Sequence, residues 1–151
     1  MRSAKDLLQT YDEYHSEPTN RQIHFITVPV IFWSFLSLLW ILPKPAFIEA
    51  NTYNWAITVL AFFLVYYAYL GTSYFIEMLS MSIIAIALIL AVLKSGANLM
   101  FVSLLLFILS WAAQIYGHRI EGESPSFLED MQLLLISPLW FWRQVIKKLS
   151  A

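Results

Sequence analysis

Three histidines are the side chains of this sequence best suited to metal chemistry. His15, His24 and His118 are the only histidines in the chain, and neutral imidazole is the commonest metal ligand in proteins. Imidazole nitrogens with a carboxylate oxygen suit Fe(II), Zn(II) or Mn(II), and two histidines plus one carboxylate leave iron positions open for oxygen and a substrate. The spacing matches no compact ligand motif such as H-E-x-x-H. The residues alone therefore indicate a candidate metal site and leave its ligands open.

Polar side chains near the histidines could orient them. Trp111, Gln114, His118 and Glu121 follow one another at intervals of three and four residues, so they share one face of a helix. A ligating imidazole needs its second nitrogen held by a hydrogen bond. The residues that could do this are Gln114, Asn20, Tyr11 and Tyr14.

Each of these residues also has an ordinary explanation. A histidine has an apolar body and a polar tip that suit the lipid–water boundary, and Glu121 could be a solvated carboxylate in a polar turn. Other chemistry fits less well. The chain has no cysteine and only four scattered glycines, so thiolate sites and glycine-rich phosphate loops are excluded. The net charge of −1 gives no sign of nucleic-acid binding.

The composition indicates that the elements carrying these residues lie in a membrane. The chain is 60% hydrophobic and only 13% charged, whereas a soluble domain is about half apolar and about one quarter charged. The N-terminus has no apolar segment followed by a small-residue cleavage site, so we expect no removable signal peptide. We predict an all-α polytopic membrane protein that forms one domain over residues 1–151.

Four apolar stretches have about the length that a helix needs to cross a bilayer. They cover residues 23–42, 55–74, 77–93 and 99–118. An amphipathic helix from Ser3 to about Ser16 precedes them, with Ser3 and Asp6 as its capping pair and Pro18 after its end. A last helix, with Pro125 as its first residue, follows the fourth stretch. Its apolar part is short and broken by Pro138, so we expect an interfacial or re-entrant segment.

Four spans bring both termini, and all three histidines, to one membrane face. That face carries seven of the nine basic residues, and the other carries Lys44 and Lys94. The positive-inside rule then places both termini in the cytoplasm. We expect integral insertion in a bacterial inner membrane or in the endoplasmic reticulum, with the lipid bilayer as the principal partner.

Two blocks of sequence resemble the Mpo1-like family of membrane 2-hydroxy fatty acid dioxygenases. The first block is similar to Y-x-x-x-H-x-x-x-x-N-x-x-x-H-x-x-x-x-P and is formed by Tyr11, His15, Asn20, His24 and Pro29. The second is similar to W-x-x-Q-x-x-G-H-x-x-x-E-x-x-x-P and is formed by Trp111, Gln114, Gly117, His118, Glu121 and Pro125. Two positions depart from the pattern: Glu121 comes one residue early, and Glu123 is acidic where the family often has a basic residue.

The resemblance implies an Fe(II)-dependent dioxygenase. Its reaction would be α-oxidation, in which a 2-hydroxy fatty acid and molecular oxygen give a fatty acid one carbon shorter. The implied metal ligands are His15, His24, His118 and Glu121, and the implied catalytic residues are His118, Gln114 and Asn20. Zinc could replace iron in purified protein, because it binds more tightly in the usual affinity order.

We expect four side chains to bind the substrate. Arg21 and Arg119 flank two of the histidines and could hold a carboxylate, or they could be basic anchors at the membrane face. Tyr11 and Tyr14 complete the set. The alternative hypothesis is a non-catalytic membrane protein that binds lipid or scaffolds partners, with the histidines as interfacial residues.

Overall fold

The computed structural model describes residues 2–46, 48, 53–122 and 131–149. Over these residues the chain forms six α-helices and no strand, which confirms the all-α prediction. The helices are α1 Ala4–Glu13, α2 Pro18–Ile41, α3 Trp55–Leu70, α4 Thr72–Lys94, α5 Leu99–Glu121 and α6 Met131–Leu149. Glu123 and Pro125, on which two expectations rest, lie outside the described residues.

Within the described ranges, three helices are long and apolar enough to cross a membrane. They are α2, α4 and α5, with 24, 23 and 23 residues, whereas α3 is apolar but has only 16 residues. Large apolar side chains on α3 are exposed, including Phe62, Val65 and Tyr69. Such surfaces are costly in water and suit lipid contact. The long apolar helices indicate a membrane protein, with three candidate spans in place of the predicted four.

The boundary between α3 and α4 differs from the predicted one. Hydropathy predicted stretches 55–74 and 77–93, but α3 ends at Leu70 and α4 begins at Thr72. Gly71 separates them with φ 144° and ψ 155°, a conformation that is essentially open only to glycine. Its N–H donates to the Tyr67 carbonyl at 3.1 Å and closes the last turn of α3. One glycine therefore shortens α3 and makes α4 longer than expected.

Helix α1 has the capping pair that the sequence predicts. The Ser3 hydroxyl accepts from the Asp6 N–H, and the Asp6 carboxylate accepts from the Ser3 N–H, which satisfies two N–H groups at the helix start. One face of α1 buries Leu7, Leu8 and Tyr11. This face packs against α6, so α1 lies against another helix of the protein.

Helix α6 runs through Pro138 without a break, and its interfacial or re-entrant placement stays a prediction. A proline has no N–H, which leaves the carbonyl four residues earlier without its helical partner. The Ser137 hydroxyl donates to that carbonyl, on Leu134, at 2.8 Å. The helix stays intact, and its middle buries Ile136, Leu139 and Trp140. Helix α6 is not among the candidate spans.

The chain divides into two compact units. One unit comprises Met1–Ile31 with Ile108–Ala151, and the other comprises Phe32–Phe107, in which α3 packs against α4. All three histidines belong to the first unit. The described parts of that unit, namely α1, the start of α2, the end of α5, and α6, therefore position the candidate site.

Candidate metal centre

The three histidines, hereafter the histidine cluster, lie together although they come from distant parts of the chain. His15 lies between α1 and α2, His24 lies in the second turn of α2, and His118 lies near the end of α5. The ring centroids are 4.2 Å apart for His15 and His24, 4.9 Å for His24 and His118, and 5.3 Å for His15 and His118. One ligand atom from each residue lies within 4.8 Å of the others. All three side chains are buried.

Backbone carbonyls select the tautomer of two of the rings. His15 Nδ1 donates to the Tyr11 carbonyl at 2.7 Å, and His24 Nδ1 donates to the Asn20 carbonyl at 3.1 Å. A carbonyl only accepts, so in both neutral rings the hydrogen is on Nδ1 and the lone pair is on Nε2. In both cases the carbonyl belongs to the residue four positions earlier. These local hydrogen bonds, one after α1 and one within α2, thus leave Nε2 of both rings available to bind a metal.

Two nitrogens of the histidine cluster are buried without a hydrogen-bond partner. Within the described residues these are His15 Nε2 and His118 Nδ1. A buried polar atom without a partner costs free energy. Burial also lowers the pKa of His15 to about 4, although its hydrogen bond to Tyr11 opposes this effect. The ring is therefore neutral near pH 7, which is the form that binds a metal ion.

A small cavity adjoins the histidine cluster. It is also lined by Tyr11, by Gln114, and by Leu133, Leu134 and Ser137 of α6. The cavity volume is about 20 Å³, which suffices for one water molecule or one ion. Three neutral imidazoles around such a space fit Fe(II) or Zn(II) as donors. They leave the remaining coordination positions to groups outside this set.

Aromatic rings form one wall of the site. The Tyr11 ring stacks on His15 with centroids 4.1 Å apart and planes 16° apart. The Trp140 ring is fully buried, and its centroid lies 5.1 Å from that of the Tyr11 ring. These contacts fix the plane of the His15 imidazole.

Arg21 is engaged in a contact with α1 and α6. Its guanidinium forms an ion pair with Asp12 at 2.9 Å and lies 5.5 Å from the centroid of the Trp140 ring. Trp140 Nε1 donates to the same Asp12 oxygen at 2.8 Å. Sequence reasoning did not pair Trp140 with Asp12, because 128 positions separate them and no local pattern relates them. Arg119 is exposed at the end of α5, and Tyr14 is half-buried outside the cavity wall.

Glu121 and Asn20 lie beside the histidine cluster and contact each other. The Glu121 carboxylate accepts from Ser16, Glu17 and Asn20. Over the described residues, the group of possible metal ligands contains the three histidines and does not include Glu121. Asn20 is fully buried.

Gln114 faces the cavity and is held in place by α2. Its Nε2 donates to the Thr27 hydroxyl at 3.1 Å, and that hydroxyl donates to the Ile23 carbonyl at 2.8 Å. This chain of hydrogen bonds orients the amide of Gln114, which a buried amide needs. Thr27 carries no signal in the sequence that would distinguish it from other helix residues.

Gly117 allows α5 and α2 to approach closely at the site. A Cβ atom on Gly117 would overlap the side-chain oxygen of Asn20 and would lie 3.4 Å from Ile23 Cδ1. Asn20 supplies the carbonyl that holds His24, and Gly117 directly precedes His118. Because Gly117 has no side chain, His24 on α2 and His118 on α5 can lie close together.

We expect Gly117→Ala to displace Asn20 and to weaken metal binding. Overpacking a buried contact costs about 1–3 kcal/mol, so the thermal midpoint in detergent should fall as well. The measurement is metal content per chain together with the unfolding midpoint. Ala112→Ser, which adds one atom on the exposed face of α5, is the control and should change neither. Unchanged metal content in Gly117→Ala would contradict the assigned packing.

Comparison with known proteins identifies the chain at the level of a family. No curated protein and no solved structure matches it. A family model described as "2-hydroxy-palmitic acid dioxygenase Mpo1-like" matches residues 1–149, which is nearly the whole chain. The match includes every residue of the histidine cluster. The chain belongs to the Mpo1-like family.

Proposed function

We propose that this protein is an Fe(II)-dependent dioxygenase that shortens 2-hydroxy fatty acids by one carbon. The observation that carries the proposal is the convergence of three buried imidazoles, with one ligand atom from each within 4.8 Å of the others. Membership of a family described by 2-hydroxy-palmitic acid dioxygenase supplies the reaction class. Bound Fe(II) would supply the redox chemistry that amino-acid side chains lack.

The proposed reaction balances without an added reductant. One 2-hydroxy acid and one O₂ give one shortened acid, one CO₂ and one water. The bond between C1 and C2 breaks, C1 leaves as CO₂, and C2 becomes the new carboxyl carbon. The substrate loses four electrons, which is the number that O₂ accepts on full reduction. The reaction therefore needs no second electron donor.

The residues around the cavity have separate roles in this proposal. The histidine cluster holds the metal ion, while Tyr11 and Gln114 offer polar atoms to the substrate hydroxyl and carboxylate. The apolar side chains of Leu133 and Leu134 suit the first carbons of an acyl chain. A 2-hydroxy acid carries two oxygen donors on adjacent carbons, so it can take two coordination positions that the imidazoles leave open.

Basic and polar residues outside the cavity extend the proposed substrate site. Arg21 would have to share or leave Asp12 to reach a carboxylate, because the two already form an ion pair. Arg119 is exposed and is not part of this ion pair. Tyr14 lies one residue from the histidine cluster. Asn20 acts through the backbone carbonyl that orients His24.

We also propose that α3 is a fourth span and that both termini lie in the cytoplasm. Helix α3 rises about 24 Å at 1.5 Å per residue, a few Å less than the hydrocarbon core. Local thinning of the bilayer accommodates such a difference, and Trp55 and Tyr69 near its ends suit the interfaces. Four spans place the site at the cytoplasmic face of a bacterial inner membrane or of the endoplasmic reticulum.

Metal content tests the proposed centre. Protein purified without oxygen should contain about one iron per chain, and His118→Ala should contain almost none because it lacks one of three ligands. Tyr116→Ala is the matched control, since Tyr116 lies on the same helix and is 61% exposed; it should retain the iron. Absence of metal from the wild-type chain would favour the lipid-binding alternative.

Product analysis tests the reaction. With 2-hydroxypalmitic acid labelled at its carboxyl carbon, we expect equal amounts of labelled CO₂, pentadecanoic acid and consumed O₂. Palmitic acid should not react, because it lacks the hydroxyl oxygen needed for two-point binding. Label retained in the product acid, or a strict need for an added reductant, would contradict the proposed balance.

Cysteine labelling tests the topology, and the chain has no native cysteine to interfere. In inverted membrane vesicles an impermeant maleimide should label Lys5→Cys and Lys147→Cys, whereas Lys94→Cys should react only in right-side-out vesicles. Labelling of Lys5→Cys and Lys147→Cys from opposite sides would exclude a four-span arrangement, because an odd number of spans would then separate them.

A further inference from the structure

The two residues directly before α2 receive a carboxylate from another helix. Glu121 Oε1, at the end of α5, accepts from the Ser16 N–H at 2.8 Å, the Glu17 N–H at 2.9 Å and the Ser16 hydroxyl at 2.8 Å. The N-terminal N–H groups of a helix have no partner within the helix and form its positive end. A negatively charged acceptor is therefore favourable at this position, and it fixes the backbone that directly follows His15.

The second carboxylate oxygen of Glu121 reaches the residue that orients His24. Asn20 Nδ2 donates to Glu121 Oε2 at 2.6 Å, and the Asn20 carbonyl accepts from His24 Nδ1. The Asn20 side chain is fully buried and lies against Gly117. One carboxylate thus bonds to the neighbour of His15 and to the residue that holds His24, while its own helix carries His118.

The hydrogen bonds of Glu121 leave little capacity for a metal ion. A carboxylate has about four acceptor sites, and four donors already use the two oxygens of Glu121. Donors at 2.6–2.9 Å to an ionised acceptor are strong hydrogen bonds. Consistent with this, the group of possible ligands over the described residues excludes Glu121.

We propose that Glu121 is a positioning residue, which caps α2 from α5 and sets the distance between His118 and the other two histidines. In this arrangement Glu121 does not bind the metal. The inference rests on the proposed function only in taking the histidine cluster as the metal site. It assigns to the acid after His118 a role different from that of a ligand.

Cobalt binding to metal-free protein tests the inference without turnover. Glu121→Gln keeps the size of the side chain but places an NH₂ group against the donors of Ser16, Glu17 or Asn20. We expect the affinity for Co²⁺ to fall by about 10- to 100-fold, as for other partners that orient ligands. The absorption bands of the saturated Co²⁺ complex should keep their positions, because the three ligating nitrogens are unchanged. Glu13→Gln, an exposed residue on α1, is the control for the same chemical change and should bind as wild type does.

Ser16→Ala distinguishes positioning from ligation. It removes one donor to Glu121 and alters no candidate ligand. If Glu121 acts through α2, Ser16→Ala should weaken Co²⁺ binding as well, and the double variant with Glu121→Gln should show less than the sum of the two effects. If Glu121 is a ligand, Ser16→Ala should leave the affinity unchanged and Glu121→Gln should shift the absorption bands; that result would overturn the inference.

Amide hydrogen exchange separates this inference from the proposed function. In the metal-free chain, Glu121→Gln should speed exchange at the Ser16 and Glu17 amides, and unchanged exchange there would overturn the cap. A protein that binds Co²⁺ as expected but does not oxidise 2-hydroxy acids would overturn the proposed function and leave the role of Glu121 intact. A wild-type chain that binds no Co²⁺ would overturn both.

Discussion

The local structure of the first unit depends on burying three uncharged imidazoles side by side. Each ring must have one nitrogen occupied by hydrogen and one available, because two protonated rings at centroid distances of 4–5 Å would repel in a buried site. For His15 and His24 a backbone carbonyl provides this control. No charged side chain is needed to select the tautomer, so the first-unit helices only have to supply carbonyls at the correct register.

The other helices of the unit hold that register. Helix α6 is continuous through Pro138, where Ser137 donates to the carbonyl that the proline leaves without a partner, and it packs against α1. Trp140 then reaches Asp12, and the same Asp12 oxygen binds Arg21 at the start of α2. One carboxylate oxygen thereby joins α1, α2 and α6 around the rings. Arg21 accordingly has a structural contact in addition to any role with a substrate.

Sequence reasoning succeeded where the signal is local and was incomplete where it is not. The Ser3–Asp6 cap and the helical class follow from short spacing and hydropathy. Hydropathy averaged along a stretch does not detect a single glycine, so the sequence did not predict that α3 ends at Leu70. The residue type alone marks the histidines as candidate ligands. That His15 and His118, about a hundred positions apart, lie together follows only from tertiary packing and from the family pattern. An acid three residues after His118 has the same spacing whether it binds a metal or caps a helix, so spacing could not assign Glu121.

The contact between Asp12 and Trp140 has a consequence for the order of biosynthesis. These residues are separated by 128 positions, so α1 emerges from the ribosome long before the helix against which it packs. His15 contacts His118 and Trp140 of α6, so both must be synthesised before its surroundings are complete. Helices α2 to α5 are synthesised between α1 and α6, so α1 lacks its packing partner during that time. The surroundings of the candidate centre are therefore completed only after α6 has been synthesised.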